Sequence, residues 1–116
     1  DLDGGLGIDQ VQLIGATPFT VNLALGTIGG EGTDTITGVE NVKTGGGDDT
    51  ITGDAEANFL DGGSGDDTIY GGAGDDELHG GFGDDYLDGQ AGTDTVNGGS
   101  NIDECYGENL SLCELP

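Results

Sequence analysis

From Val42 onward an apolar residue stands at every ninth position: Val42, Ile51, Leu60, Ile69, Leu78, Leu87 and Val96, with Cys105 as the next member. The flanking positions are mixed and mostly polar, which predicts a three-residue strand with one side chain pointing inward. The six residues before each strand are free to turn. Two such nonapeptides complete one coil of 18 residues, so successive loops alternate between two edges of a stack.

Upstream, Gly4 to Gln12 (GGLGIDQVQ) and Gly29 to Thr37 (GGEGTDTIT) repeat the pattern, with Val11 and Ile36 in the apolar slot. Residues 13–28 carry no repeat, and Ile36 to Val42 is a step of six. Within that gap TVNLALG alternates Val21, Leu23 and Leu25 with Asn22 and Ala24, which predicts a half-buried strand in an enlarged coil or hairpin. Leu2 lies nine residues before Val11, so the chain is expected to start inside a repeat, as an excised fragment would.

The polar positions carry a second period. Two residues before each apolar position stand Glu40, Asp49, Asn58, Asp67, Asp76, Asp85, Asp94 and Asp103, and upstream Asp9 and Asp34 fill the same slot. Residues 18 apart stack, which places Asp49, Asp67, Asp85 and Asp103 along one edge and Asn58, Asp76 and Asp94 along the other. Carboxylates at the ~4.8 Å strand spacing repel by ~0.9 kcal/mol per pair even at the dielectric of water. The array therefore needs a cation to fold well.

Composition sharpens the point. The chain has 24 Asp+Glu against one Lys+Arg, 27 Gly and only 32% hydrophobic residues, a balance typical of disordered chains. A net charge of −23 excludes nucleic acid and anionic membranes as partners, because phosphate binding needs clustered Lys and Arg and only Lys43 is present. No apolar run approaches the ~20 residues that span a bilayer, and no charged-then-apolar leader precedes Asp1. Divalent cations are the natural counterpart.

The stretch GGSGDDTIY, GGAGDDELH, GGFGDDYLD, from Gly62 to Asp88, gives three consecutive matches to G-G-x-G-x-D-x-U-x, where U is large and apolar. It resembles the nonapeptide of the RTX, or hemolysin-type, calcium-binding repeats. That resemblance implies an all-β fold, a right-handed parallel β-roll (a β-helix solenoid), here with an irregular N-terminal coil or hairpin and a C-terminal cap. The expected organisation is residues 1–43 as the N-terminal part with its insertion at 13–28, 44–106 as the regular roll, and 107–116 as the cap.

The resemblance also implies ligands. The sixth-position carboxylates Asp49, Asp67, Asp76, Asp85, Asp94 and Asp103 are the expected calcium ligands, joined by main-chain carbonyls of the loops at Gly62, Ser64, Gly71, Ala73, Gly80 and Phe82. The fifth-position Asp48, Asp66, Asp75 and Asp84 are either ligands or turn-forming, solvated side chains. Ca²⁺ takes six to eight oxygens, and glycine allows the positive φ that aims consecutive carbonyls at one point. The pairs Asp67 with Asp85, Asp76 with Asp94 and Asp49 with Asp67 predict three to five ions. The loops from Gly53 (GDAEANFLD) and Gly98 (GGSNIDECY), and Gln90 in GQAGTDTVN, depart from the pattern and weaken the outer sites. Hard oxygen donors suit a lanthanide as well.

Cys105 and Cys113 close a short loop, CYGENLSLC, after the repeat stops. A disulfide pinning a cap that contains Leu110, Leu112 and Leu115 is expected; two buried free thiols are the alternative, and a metal–thiolate site is poorer because calcium is hard. His79, the only histidine, stands at the outward ninth position of its repeat, so a solvent-facing side chain is expected. No nucleophile and base constellation is present, and the strict period of the acids favours metal binding over glycosidase chemistry.

The functional expectation is a non-enzymatic, secreted calcium-binding module that folds on binding calcium and supports a preceding domain of a larger extracellular protein, with no membrane insertion. The alternatives are an adhesive or ice-contacting surface and an accessory module of a secreted enzyme. Family members exported in one step usually contain few cysteines and end in an uncleaved signal that CELP does not resemble, so export by another route is an alternative expectation.

Overall fold

A computed structural model describes residues 2–30 and 32–113; Asp1 and the cap residue Leu115 lie outside the described residues. The chain forms β1 (Leu2–Asp3), β2 (Gln10–Gln12), β3 (Thr20–Asn22), β4 (Thr27–Gly30), β5 (Gly32–Thr37), β6 (Asn41–Lys43), β7 (Thr50–Thr52), β8 (Phe59–Ser64), β9 (Thr68–Ala73), β10 (Glu77–Phe82), β11 (Tyr86–Ala91), β12 (Thr95–Ser100), β13 (Glu104–Tyr106) and β14 (Asn109–Ser111). From β6 onward consecutive strands fall alternately in two sheets, ordered β1-β5-β4-β3-β7-β9-β11-β13 and β14-β12-β10-β8-β6-β2. This is the parallel β-roll that the resemblance implied.

The register is the predicted one. Leu60, Leu78 and Val96 stand side by side in one sheet, and Ile51, Ile69, Leu87 and Cys105 in the other. All are buried, and their two rows meet as the core. Strands β8 to β12 are six residues long, twice the predicted length, because the three residues that follow each predicted strand, Gly-Gly-x or Gly-Gln-Ala, stay paired with the next coil. In the β8–β10–β12 stack the pairing skips only Gly62, Gly80 and Gly98, where the strand bends at the corner.

The N-terminal third departs from the repeat. Thr20–Asn22 takes a coil's place beside Thr50–Thr52, with Val21 against Ile51, and then leads antiparallel into β4 and from there antiparallel into β5. The half-buried strand predicted over TVNLALG stops at Asn22: the Asn22 side chain accepts the Leu25 N–H at 2.9 Å, the chain turns, and Leu25 is left exposed. Gly29 to Thr37 is a hairpin arm and not a loop of the roll, so Asp34 lies exposed on β5 opposite Ile28. The glycines there serve a tight antiparallel turn, with Gly32 at φ +122°, while Ile36 still enters the core. Buried Val39 fills the short step to Val42.

At the other end Cys105 and Cys113 form a disulfide. The cap between them is a shortened coil: β14 pairs parallel with β12, Leu110 opposite Val96. Leu110 and Leu112 remain exposed, so they cover the end only in part. Among the described residues no helix is long and apolar enough to cross a membrane.

Candidate metal centre

The stacking of coils puts each sixth-position carboxylate inside the wall of the roll. Asp49, Asp67, Asp76, Asp85, Asp94 and Asp103 are each at most 3% exposed. Along one edge the Phe19, Asp49, Asp67 and Asp85 amides donate to Oδ1 of Asp49, Asp67, Asp85 and Asp103, at 2.7 to 3.0 Å. Along the other, Asn58 and Asp76 donate to Asp76 and Asp94 at 2.8 and 3.0 Å. One oxygen of every carboxylate is thus committed to the preceding coil.

The second oxygen points elsewhere. Oδ2 of Asp49, Asp67, Asp76, Asp85 and Asp94 is buried and has no hydrogen-bond partner, a costly state for an ionised group. The corner glycines show where these atoms aim. A Cβ on Gly71 would stand 2.5 Å from Asp76 Oδ2 and 2.6 Å from the Gly89 carbonyl, and one on Gly80 would meet Asp85 Oδ2 and, at 2.5 Å, the Gly98 carbonyl. A carboxylate oxygen of one coil and a carbonyl oxygen of the next therefore converge on a corner that only a hydrogen atom fits.

The fifth-position acids run the opposite way. Asp48, Asp66 and Asp84 reach forward to accept the Asp66, Asp84 and Ile102 amides at 2.9 to 3.0 Å, and Asp75 accepts Thr93 N–H at 2.9 Å. These side chains are exposed. Four gaps between coils are consequently bracketed by two carboxylates: Asp48 with Asp67, Asp66 with Asp85, Asp75 with Asp94, and Asp84 with Asp103. The sequence paired sixth-position residues with one another and did not reveal this crossed arrangement.

Electrostatics records the crowding. Burial, followed by the charges of Asp85, Asp49 and Asp48, pushes Asp67 up to about 7. Burial likewise raises Asp76 and Asp85 to about 6, with Asp94 and Asp103 as their strongest charged neighbours, and raises Asp49. No group of three or more His, Cys, Asp or Glu side chains gathers at one point among the described residues, so main-chain oxygens must complete any cation's shell. Unpartnered carboxylate oxygens facing carbonyls fit a hard cation such as Ca²⁺ and no softer ion.

Three corners differ. Thr44 occupies the position held elsewhere by the corner glycine, and its hydroxyl donates to the Gly62 carbonyl at 2.6 Å, so that expected ligand is already engaged. At Gly53 the neutral Asn58 satisfies itself, accepting Asp54 N–H and donating to the Glu40 carbonyl. At the N-terminal end Asp9 donates its amide to Glu40 Oε2 at 2.9 Å, extending the ladder through a 31-residue coil. Ser64, Ala73 and Phe82 sit at the ends of β8, β9 and β10, and the Phe82 carbonyl also accepts Gly65 N–H. His79 lies on the outer face, bonded to Glu77 at 2.8 Å and stacked on Phe59.

No curated protein matches the chain. A family model described as RTX calcium-binding nonapeptide repeat (4 copies) matches residues 28–40, 43–78 and 70–104.

Proposed function

We propose, for a chain that belongs to the family of RTX calcium-binding nonapeptide repeats, that the module folds by taking up three to five Ca²⁺ ions between its coils and then serves as a rigid scaffold for a larger extracellular protein. The observation that carries this reading is the row of five buried Oδ2 atoms without a hydrogen-bond partner. When bound, calcium supplies the positive charge that these oxygens lack. The protein's own part is to hold Oδ1 on the neighbouring amide so that Oδ2 and the facing carbonyls stay aligned.

Each sixth-position carboxylate belongs to two gaps, one through each oxygen, so filling one gap orders the wall of the next and uptake is cooperative. Because no site exists before the coils stack, binding free energy is folding free energy. At millimolar calcium and a site Kd of about 10⁻⁴ M, each ion contributes about 1.4 kcal/mol. Below that concentration the charged chain stays open, a state compatible with export; the Cys105–Cys113 disulfide suits an oxidising compartment.

The test is a far-UV circular dichroism titration of chelated, disulfide-intact protein with Ca²⁺, using Mg²⁺ as control. The expected result is a cooperative gain of β signal with Ca²⁺ alone. Full β signal already present in chelator would reduce calcium to a secondary stabiliser and end the folding-switch reading.

A further inference from the structure

We infer that the segment closed by the Cys105–Cys113 disulfide is a substitute coil that builds one more divalent-cation site, from the carboxylates of Asp94 and Glu108, with an affinity set by that disulfide. The inference rests on the calcium reading above, but concerns residues that the repeat does not specify: the family match ends at residue 104.

Several contacts that a following coil would make are reproduced here by residues of another kind. Asp94 donates its amide to Glu108 Oε2 at 3.0 Å, as Asp76 donates to Asp94 Oδ1 at 3.0 Å. The longer glutamate side chain spans the shorter turn, in which Gly107 and Glu108 alone join β13 to β14. β14 takes a coil's register on β12, Asn97 opposite Ser111. On the opposite edge, beside Asp103, the Leu112 carbonyl accepts Gly99 N–H at 3.1 Å and lies against Gly98, the place that the Gly98 carbonyl takes against Gly80.

A second observation points to a ligand. Asp94 is fully buried, its Oδ2 has no hydrogen-bond partner, and Gly107 closes over its side chain, with a Cβ position 3.6 Å from Asp94 Cβ. In the regular coils the equivalent oxygen of Asp76 faces a carbonyl of the next coil. Asp94 Oδ2 lies at the Gly89 corner, and the coil that follows in the stack is the cap, whose turn carries Glu108. Two carboxylates are hard-cation donors. The disulfide holds the two together: Cys105 is anchored in the core, and Cys113 directly follows Leu112, so the bond fixes both ends of the three-residue β14.

The experiment counts Ca²⁺ by isothermal titration calorimetry on the whole chain, for wild type and E108Q, each oxidised and after treatment with a dithiol. The dithiol delivers two electrons and two protons to the disulfide and is itself oxidised. The substituted side-chain amide would keep an acceptor for the Asp94 N–H and remove only the charge. The expected result for oxidised E108Q is one site weakened at least tenfold, with a smaller loss at the adjoining Asp76–Asp94 gap and the remaining sites unchanged. Reduction should weaken the same site in wild type and cause no further loss in E108Q. Unchanged stoichiometry and affinity in E108Q, or losses from the variant and from reduction that simply add, would overturn the site. Loss of every site in E108Q would make Glu108 a folding residue and overturn it as well. Wild type that binds no calcium at all would sink the functional reading first, and this site with it.

Discussion

The Asp67 amide donates to Asp85 Oδ1 across the gap between coils at 2.8 Å, while Asp85 Oδ2, buried at the Gly80 corner, has no hydrogen-bond partner. One carboxylate thus divides its labour, with one oxygen spent on the backbone and one held for a cation.

Asp85→Asn separates the two roles. The amide oxygen can still accept Asp67 N–H, but the charge facing the corner is gone. Because Asp85 borders two gaps, the calcium-loaded protein should lose about 3 kcal/mol at 1 mM Ca²⁺, taking a site Kd of about 10⁻⁴ M. The chelated protein should lose nothing. Urea melts with and without calcium check this; equal losses in both would make the carboxylate structural.

Gly80→Ala tests the corner. A Cβ there would occupy the point where Asp85 Oδ2 and the Gly98 carbonyl meet. The variant should lose calcium-induced β signal at 1 mM Ca²⁺. Gly5→Ala is the control: φ is +81° at Gly5 but no atom lies within 4 Å of the added Cβ, so the expected cost is only about 1 kcal/mol of backbone strain. Gly80 itself is not at positive φ, so matching behaviour of the two variants would mean that the corner tolerates a Cβ and is no cradle.

The raised carboxyl groups predict opposite pH responses with and without calcium. Folding lifts Asp67 from 3.8 to about 7, and Asp76 and Asp85 to about 6. A group that holds its proton more tightly when folded stabilises the metal-free fold fully below about pH 4, and that contribution is lost as pH rises through 6 to 7. Chelated protein should therefore gain β signal when taken from pH 7.5 to pH 4. Calcium needs the charged form, so over the same range its midpoint should move to higher concentration. Acidification that melts the chelated protein would contradict the shifts.

Several details show where sequence reading stops. The acid of a nonapeptide was legible at Asp67, yet the same motif at Gly29 to Thr37 became a hairpin, because a Gly-rich run bends equally well at a corner or in a tight antiparallel turn. Thr44 and Glu108 carried no repeat signal. Thr44 replaces a corner glycine and spends its hydroxyl on the Gly62 carbonyl; Glu108 stands five residues from Asp103, and only the shortened turn brings it to the Asp94 amide.

The nine-residue spacing of Val42 to Cys105 determined the 18-residue coil, the two facing sheets and the row of acids beside each strand, because a periodic chain can bury a periodic apolar residue only by stacking like on like. Tertiary structure alone decided how the acids divide between neighbours. The direction of each carboxylate depends on which amide the adjacent coil presents, and that amide lies 18 residues away in a regular coil, 31 in the N-terminal one and 14 in the disulfide-closed cap.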